Sequence, residues 1–225
     1  MENNKKLQFI ELILFLGVVL LPSILTSVYA FFSKLDVISL RGGSPSFHYL
    51  HGITWELLSI CLLIYFLYRR GKGLADIGFS FKWKDLLEGM GIFLLVSIVN
   101  IILYNVLKIF SINPEQPRNI DFLKSEITIF YVLFILINPF FEELIVRAFT
   151  MIEVGLLTGR TYLAIIISTL LQTSYHLYQG TYATIVLLVM FLVFSIIFAK
   201  YKRIMPLIIA HAIFDIIALL QNAII

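Results

Sequence analysis

The sequence has few charged residues and almost no cysteine. Charged residues make up 14% of its 225 positions, against about 25% in ordinary soluble domains. The single cysteine, Cys61, excludes an intramolecular disulfide. Hydrophobic residues make up 60% of the chain. This composition excludes a soluble nucleic-acid-binding domain, a disulfide-stapled secreted domain and a disordered segment, and it indicates an integral membrane protein.

Long apolar runs fill most of the sequence. A membrane-spanning helix needs about 20 mostly apolar residues, and the sequence offers seven such runs. We therefore predict an all-α fold, a polytopic transmembrane helix bundle of about seven spans, with six to eight allowed. The runs cover residues 7–32, 50–68, 86–110, 124–157, 162–178, 181–200 and 204–225.

The basic residues predict the orientation of this bundle. Under a seven-helix arrangement, eleven of the 17 Lys and Arg residues fall on the side of the N-terminus. Arg147 lies inside a helix, and the opposite side receives Lys34, Arg41, Lys108, Arg118 and Lys124. Because cytoplasmic loops carry the excess of basic residues, we expect a cytoplasmic N-terminus and an external C-terminus.

The fourth run carries charges that lipid would not tolerate. Glu142, Glu143 and Arg147 stand in an apolar helix, where ionisable side chains are expensive and by default mark function. Glu143 and Arg147 are four apart and share a face, so they can form an intrahelical ion pair. Glu142 lies about 100° around the helix. We interpret the Glu143–Arg147 pair as structural and Glu142 as the chemical carboxylate; the alternative is a purely structural polar network.

Two histidines and an aspartate occupy the later runs. His176 ends the fifth run, and Gln172, four residues earlier, is placed to reach its imidazole. His211 and Asp215 are also four apart, an arrangement that fixes a histidine tautomer or orients a metal-bound imidazole. If the fourth helix ends near Leu157, Glu142 lies about 22 Å from its inner end and His176 lies at a similar depth.

Other titratable residues are weaker candidates. His48 and His51 flank the start of the second run, where interfacial residues gather. Glu56 enters the same helix early and has no partner that the sequence reveals.

Familiar motifs of peptide cleavage are missing. There is no His-Glu-x-x-His helix and no Gly-x-Ser-x-Gly elbow. Asp215 is the only aspartate well inside a predicted span, so a catalytic aspartate pair is disfavoured. What remains is a glutamate with two histidines. Such a set can bind a divalent metal with an open position for water, or it can activate water without a metal.

These residues resemble the signature of the CPBP family, the type II CAAX prenyl endopeptidases and their bacterial bacteriocin-processing (Abi-like) relatives. The likeness rests on Glu142-Glu143-x-x-x-Arg147, the histidine His176 and His211-x-x-x-Asp215, in order and each in a membrane helix. The Gly78-Phe79-Ser80-x-x-Trp83 stretch is similar to the upstream segment of the family.

The resemblance implies roles for these residues. Glu142 and His176 would activate the hydrolytic water, and His211 with Asp215 would stabilise the oxyanion or join a metal shell. The sequence departs from the family at three positions: Gln172 replaces Phe, Ala148 replaces Gly, and Asp215 replaces the Asn of many members. Because an ionised aspartate cannot donate to an oxyanion, we expect Asp215 rather to orient His211 or to bind metal.

The leading hypothesis is an intramembrane endopeptidase in one integral-membrane domain, residues 1–225, with its catalytic core within about 124–225. Its expected partners are a membrane-associated peptide or protein substrate and the lipid bilayer, with no nucleic acid. Zinc or another divalent ion is one expectation for the cofactor, with Glu142, His176 and His211 as ligands. The alternatives are a noncatalytic membrane immunity or interaction protein and a small proton-coupled transporter. Composition suggests a bacterial cell membrane.

Overall fold

Seven helices in the described part of the chain correspond to the seven apolar runs. The computed structural model describes residues 2–35, 37, 44–112 and 128–224. Within these ranges no strand occurs, which confirms the all-α class. The helices are α1 (Glu2–Ser33), α2 (Pro45–Arg69), α3 (Lys84–Ile109), α4 (Ile129–Thr158), α5 (Thr161–Ser174), α6 (Thr181–Tyr201) and α7 (Met205–Ile224). Arg41, Arg118 and Lys124, which entered the predictions of orientation and of the fourth helix, lie outside the described residues.

Length and composition confirm a polytopic membrane bundle. Helices α1 to α4 and α6 are long and apolar enough to cross a membrane, whereas α5 and Met205–Leu220 of α7 are shorter apolar segments. The predicted end of the fifth helix at Tyr178 is wrong. The helix stops at Ser174, and a 3-10 turn follows at Leu177–Gln179. The early stop shapes the site described below.

An ion cluster ties three helix ends together. Arg70, which follows α2, contacts Glu11 of α1 at 2.6 Å and Glu153 near the end of α4 at 2.8 Å. Partial burial alone would lower the pKa of Arg70, but the hydrogen bonds to Glu11 and Glu153 raise it above its ordinary value. The start of α1 therefore lies level with the ends of α2 and α4, as an up-and-down bundle requires.

Helices α3 and α7 approach closely because α3 carries glycine where they meet. A Cβ on Gly89 would lie 2.6 Å from Ile209 Cγ2 and 3.0 Å from the carbonyl oxygen of Pro206. Small residues allow this kind of contact between membrane helices. Arg203, just before α7, also pairs with Asp85 and, at 2.7 Å, with Glu88 on α3. These contacts fix the start of α7, and through it the depth of His211.

Candidate active site

Helix α4 changes its pitch where it carries its charged residues. Ile129–Phe141 and Thr150–Thr158 are α-helical, whereas Glu142–Phe149 is π-helical. Pro139 disturbs the preceding turn because it has no amide hydrogen and its ring crowds the backbone. All eight residues of the π segment are buried. Since π segments frequently occur at functional sites, the segment Glu142–Phe149 is a candidate functional site.

Glu143 and Arg147 form the closed side of the site. Arg147 Nε donates to Glu143 Oε2 at 3.1 Å, and both side chains are fully buried. The other guanidinium nitrogens donate to Ser168 Oγ at 3.3 Å, Phe191 O at 3.0 Å, Ser195 Oγ and Gln172 Oε1. A buried charge is tolerable only when it is paired and hydrogen-bonded in this way. This network ties α4 to α5 and α6.

Glu142 occupies the open side, one residue away. Its Oε2 accepts a hydrogen bond from Gln172 Nε2 at 2.8 Å, and its Oε1 accepts one from Asn138 Nδ2 at 3.3 Å. Two imidazole nitrogens lie farther off: His176 Nε2 is 3.4 Å from Oε1, and His211 Nε2 is 3.8 Å from Oε2. The carboxylate of Glu142 is thus positioned by two amides and faces two histidines.

A cavity of about 790 Å³ opens beside Glu142. His176 and Asp215 also line it, and α2 forms part of its wall. Apolar and aromatic side chains make up much of the remaining lining, among them Leu20, Tyr131, Phe134, Ile135 and Phe141. The cavity is large enough for several residues of a peptide, and ligand sites commonly combine apolar walls with a few polar groups in this way.

His176 lies in the turn that follows α5. Its Nδ1 is 3.1 Å from Gln179 Nε2, which donates to it as an amide must. The predicted contact with Gln172 is wrong. Because the helix ends at Ser174, His176 does not follow Gln172 by one helical turn, and Gln172 binds Glu142, Glu143 and Arg147 instead.

Glu143 orients the imidazole ring of His211. Its Nδ1 lies 3.0 Å from Glu143 Oε1, and since a carboxylate paired with Arg147 only accepts, Nδ1 is the donor. His211 Nε2 then points toward Glu142 at 3.8 Å and toward Asp215 Oδ1 at 3.9 Å. The four-residue spacing does bring Asp215 near His211, but the hydrogen bond that orients the ring comes from Glu143.

Comparison with known families adds a reaction class to this geometry. Residues 124–217 match the family model of the Rce1-like type II CAAX prenyl endopeptidases. This segment is similar to that family, and we call it the Rce1-like domain. The match confirms the resemblance noted in the sequence, and it includes Glu142, His176, His211 and Asp215. Comparisons with curated proteins and with solved structures gave no significant match.

Several polar residues around the Rce1-like domain's glutamate were missed by sequence reasoning. Asn138 precedes Glu142 by four residues, so helical spacing already placed it on the same side of α4. Glu56 does not reach the interface as its position early in α2 suggested; its side chain is 5% exposed and accepts from Asn138 Nδ2 at 2.9 Å. His48 and His51 line the cavity. No spacing within α2 could reveal these contacts with α4, since they depend on how the helices pack.

The donor atoms of the Rce1-like domain have the right chemistry for a divalent ion, namely two imidazoles and a carboxylate. Their arrangement is less suited to it, because the described residues contain no group of three His, Cys, Asp or Glu side chains that could hold a metal ion. Metal binding by Glu142, His176 and His211 therefore stays a prediction. Metal analysis of the purified protein beside His176→Ala and His211→Ala variants tests it.

Proposed function

We propose that this protein is an intramembrane endopeptidase and that the Rce1-like domain carries its catalytic residues. One observation supports the proposal most strongly: Glu142 faces a cavity of about 790 Å³ and lies within 3.8 Å of two imidazole Nε2 atoms. A carboxylate beside two imidazoles is a set that general acid–base hydrolysis uses. The substrate is a peptide bond of a membrane-associated protein or peptide.

In the proposed reaction, Glu142 acts as the general base. A water molecule between Glu142 and His176 transfers a proton to the Glu142 carboxylate as its oxygen attacks the carbonyl carbon of the substrate. The Nδ1 contact with Gln179 holds the ring of His176 so that Nε2 faces Glu142. Asn138 and Gln172 fix the two carboxylate oxygens. This positioning reduces the reorganisation that the step requires.

His211 stabilises the oxyanion that forms when water adds to the carbonyl. Its Nδ1–H is bound by Glu143, and a protonated ring presents Nε2–H toward Glu142. Such a donor strengthens as the negative charge develops. The proton taken by Glu142 then passes to the amide nitrogen, the carbon–nitrogen bond breaks, and a carboxylic acid and an amine leave. Asp215, 3.9 Å from His211 Nε2, supports the charge of that imidazole without touching the oxyanion.

The decisive experiment compares membranes from cells that produce the wild-type protein or its Glu142→Gln variant. Newly formed peptide termini are identified by mass spectrometry of the membrane proteome. We expect cleavage products in the wild-type sample that are absent with Glu142→Gln, because an amide cannot accept the proton from water. An Asp76→Asn variant is the matched control, since Asp76 is exposed, does not line the cavity, and accepts a hydrogen bond from Gly73 N that asparagine can also accept.

Equal cleavage by wild type and by a correctly inserted Glu142→Gln protein would overturn the proposal. A wild-type protein that changes no terminus, while both it and Glu142→Gln still support the same cellular phenotype, would point to the noncatalytic alternative. In that case the polar network serves packing alone.

A further inference from the structure

Helix α2 contributes a buried carboxylate that the reaction above does not use. Glu56 is 5% exposed and lines the same cavity as Glu142. Its Oε1 accepts a hydrogen bond from Asn138 Nδ2 at 2.9 Å. Its Oε2 is buried and has no hydrogen-bond partner among the described residues. Glu56 lies outside the matched segment 124–217, so the family comparison assigns it nothing.

The unpartnered oxygen needs a donor. Leaving a buried acceptor unsatisfied costs free energy, and more so when the group is charged. Two neighbouring donors are already used: Asn138 Nδ2 donates to both Glu56 and Glu142, and Trp55 Nε1 donates to the carbonyl of Val19 at 3.1 Å. Glu142 and Asp215, the carboxylates that share the cavity, bring further acceptors. A ligand in the cavity is the natural source of the missing N–H.

The shape of the α2 wall fits an extended chain. His48, Gly52, Trp55 and Glu56 all line the cavity, at the spacing of one helix face. The eight steps from His48 to Glu56 rise about 12 Å along the helix, which is the length of three to four residues of extended peptide. His48 Nε2, at the far end, is also buried without a hydrogen-bond partner among the described residues. Unsatisfied polar atoms thus stand at both ends of this face.

We propose that Glu56 binds the substrate backbone: its Oε2 accepts the amide N–H of a residue next to the scissile bond, and the peptide runs extended along α2 toward His48. The class of ligand, a peptide, rests on the proposed function. Glu56 is then a substrate-binding residue, linked through Asn138 to the glutamate that activates water. The contact selects substrates that can unfold locally, because only an extended backbone has its amide hydrogens free.

The test measures binding without turnover. Protein carrying Glu142→Gln is placed in lipid nanodiscs and titrated with dye-labelled decapeptides of Leu, Ala and Ser, followed by fluorescence anisotropy. For the tightest binder, each backbone N–H is replaced in turn by N–CH₃. We expect one position at which methylation weakens binding about threefold or more, the range for a hydrogen bond between neutral groups. In the protein that also carries Glu56→Gln, we expect that methylation to have little further effect.

Non-additive effects of backbone methylation and Glu56→Gln on binding distinguish a direct contact from a structural role of Glu56. Ser59→Ala, added to the same Glu142→Gln protein, is the control: Ser59 is a buried α2 residue outside the cavity lining whose hydroxyl donates to the carbonyl of Trp55 in its own helix. Methylation effects that add to Glu56→Gln at every position would overturn the inference, as would decapeptides that fail to bind. If methylation and Glu56→Gln are non-additive but the wild-type protein cleaves nothing, the peptide-binding role of Glu56 is supported and the proposed reaction is overturned. Failure of this inference is therefore distinguishable from failure of the proposed function.

Discussion

Glu142 and Glu143, adjacent residues of helix α4, differ in their environments. Glu143 is enclosed: Arg147, His211 and Gln172 saturate its oxygens, and its side chain is fully buried. Glu142 is held by two amides and otherwise faces a cavity. The difference arises because successive residues of a helix point in different directions around its axis. Glu143 therefore stabilises the helix bundle, whereas Glu142 is accessible for the proposed reaction.

The closed and open sides are joined through Gln172. This residue accepts from Arg147, and its Nε2 donates to Glu142 at 2.8 Å and to Glu143 at 3.3 Å. His211 joins them a second time, since Nδ1 binds Glu143 while Nε2 faces Glu142. The structural network therefore also orients the groups proposed to react, so substitutions on the two sides should differ in what they damage first.

The largest effect is expected from Arg147→Met, which breaks the closed side. The substitution keeps an unbranched apolar side chain but leaves Glu143 buried without its cation. Removing one partner of a buried ion pair typically costs about 3–5 kcal/mol. The free energy of unfolding, measured by denaturing-detergent titration, should fall by that amount, whereas Glu142→Gln should stay near wild type. A loss below about 1 kcal/mol for Arg147→Met would show that the network is not what holds these helices.

The next largest effect is expected from His211→Ala, which removes the proposed oxyanion donor. Loss of one such donor typically lowers kcat by about 10²–10³-fold. The turnover of a substrate identified by mass spectrometry of the membrane proteome measures this loss. Thr54→Ala is the control, since Thr54 is exposed on α2 and does not line the cavity. Combined with Glu142→Gln, the change should cost little more than Glu142→Gln alone, because residues of one catalytic unit are not additive. A full multiplicative loss in the double variant would contradict a shared step.

Much of this division could be predicted from sequence alone. The seven apolar runs follow from bilayer thickness, and the closeness of Glu143 to Arg147 and of His211 to Asp215 follows from helical spacing. Each of these depends on residues near one another in the chain. The apolar background also made the ionisable residues conspicuous, since few charges are tolerated there.

Most of the contacts that sequence reasoning missed cross between helices. Gln172 reaches α4 because α5 packs against it, and His176 lies outside the helix because α5 stops at Ser174. Glu56 meets Asn138 only because α2 packs along the first part of α4. Likewise, His211 is oriented by Glu143 of α4 rather than by Asp215 of its own helix. Spacing rules address one helix at a time, whereas these contacts are set by packing between helices.

A smaller effect on both sides is expected from Gln172→Leu, since Gln172 belongs to both. It leaves Arg147, Glu142 and Glu143 each short of one hydrogen bond, which should lower the free energy of unfolding by roughly 1–3 kcal/mol. Turnover should fall about tenfold as Glu142 loses its 2.8 Å contact. Thr173→Ala is the control, because the Thr173 hydroxyl binds only the carbonyl of Thr169 in its own helix. Lost turnover with unchanged stability would mean that Gln172 belongs to the open side alone.

The smallest effect is expected from Asp215→Asn, at the rim of the open side. The Asp215 side chain is 28% exposed, and its Oδ1 lies 3.9 Å from His211 Nε2, beyond hydrogen-bond distance. A partly exposed pair of this kind is worth about 0–1 kcal/mol, so turnover should change by no more than about fivefold. Asparagine also keeps the size of the side chain and gains an N–H that can donate to an oxyanion, which offsets the lost charge. If Asp215→Asn instead reduced turnover as far as His211→Ala does, the carboxylate of Asp215 would itself belong to the reacting set, and the open side would contain two essential carboxylates rather than one.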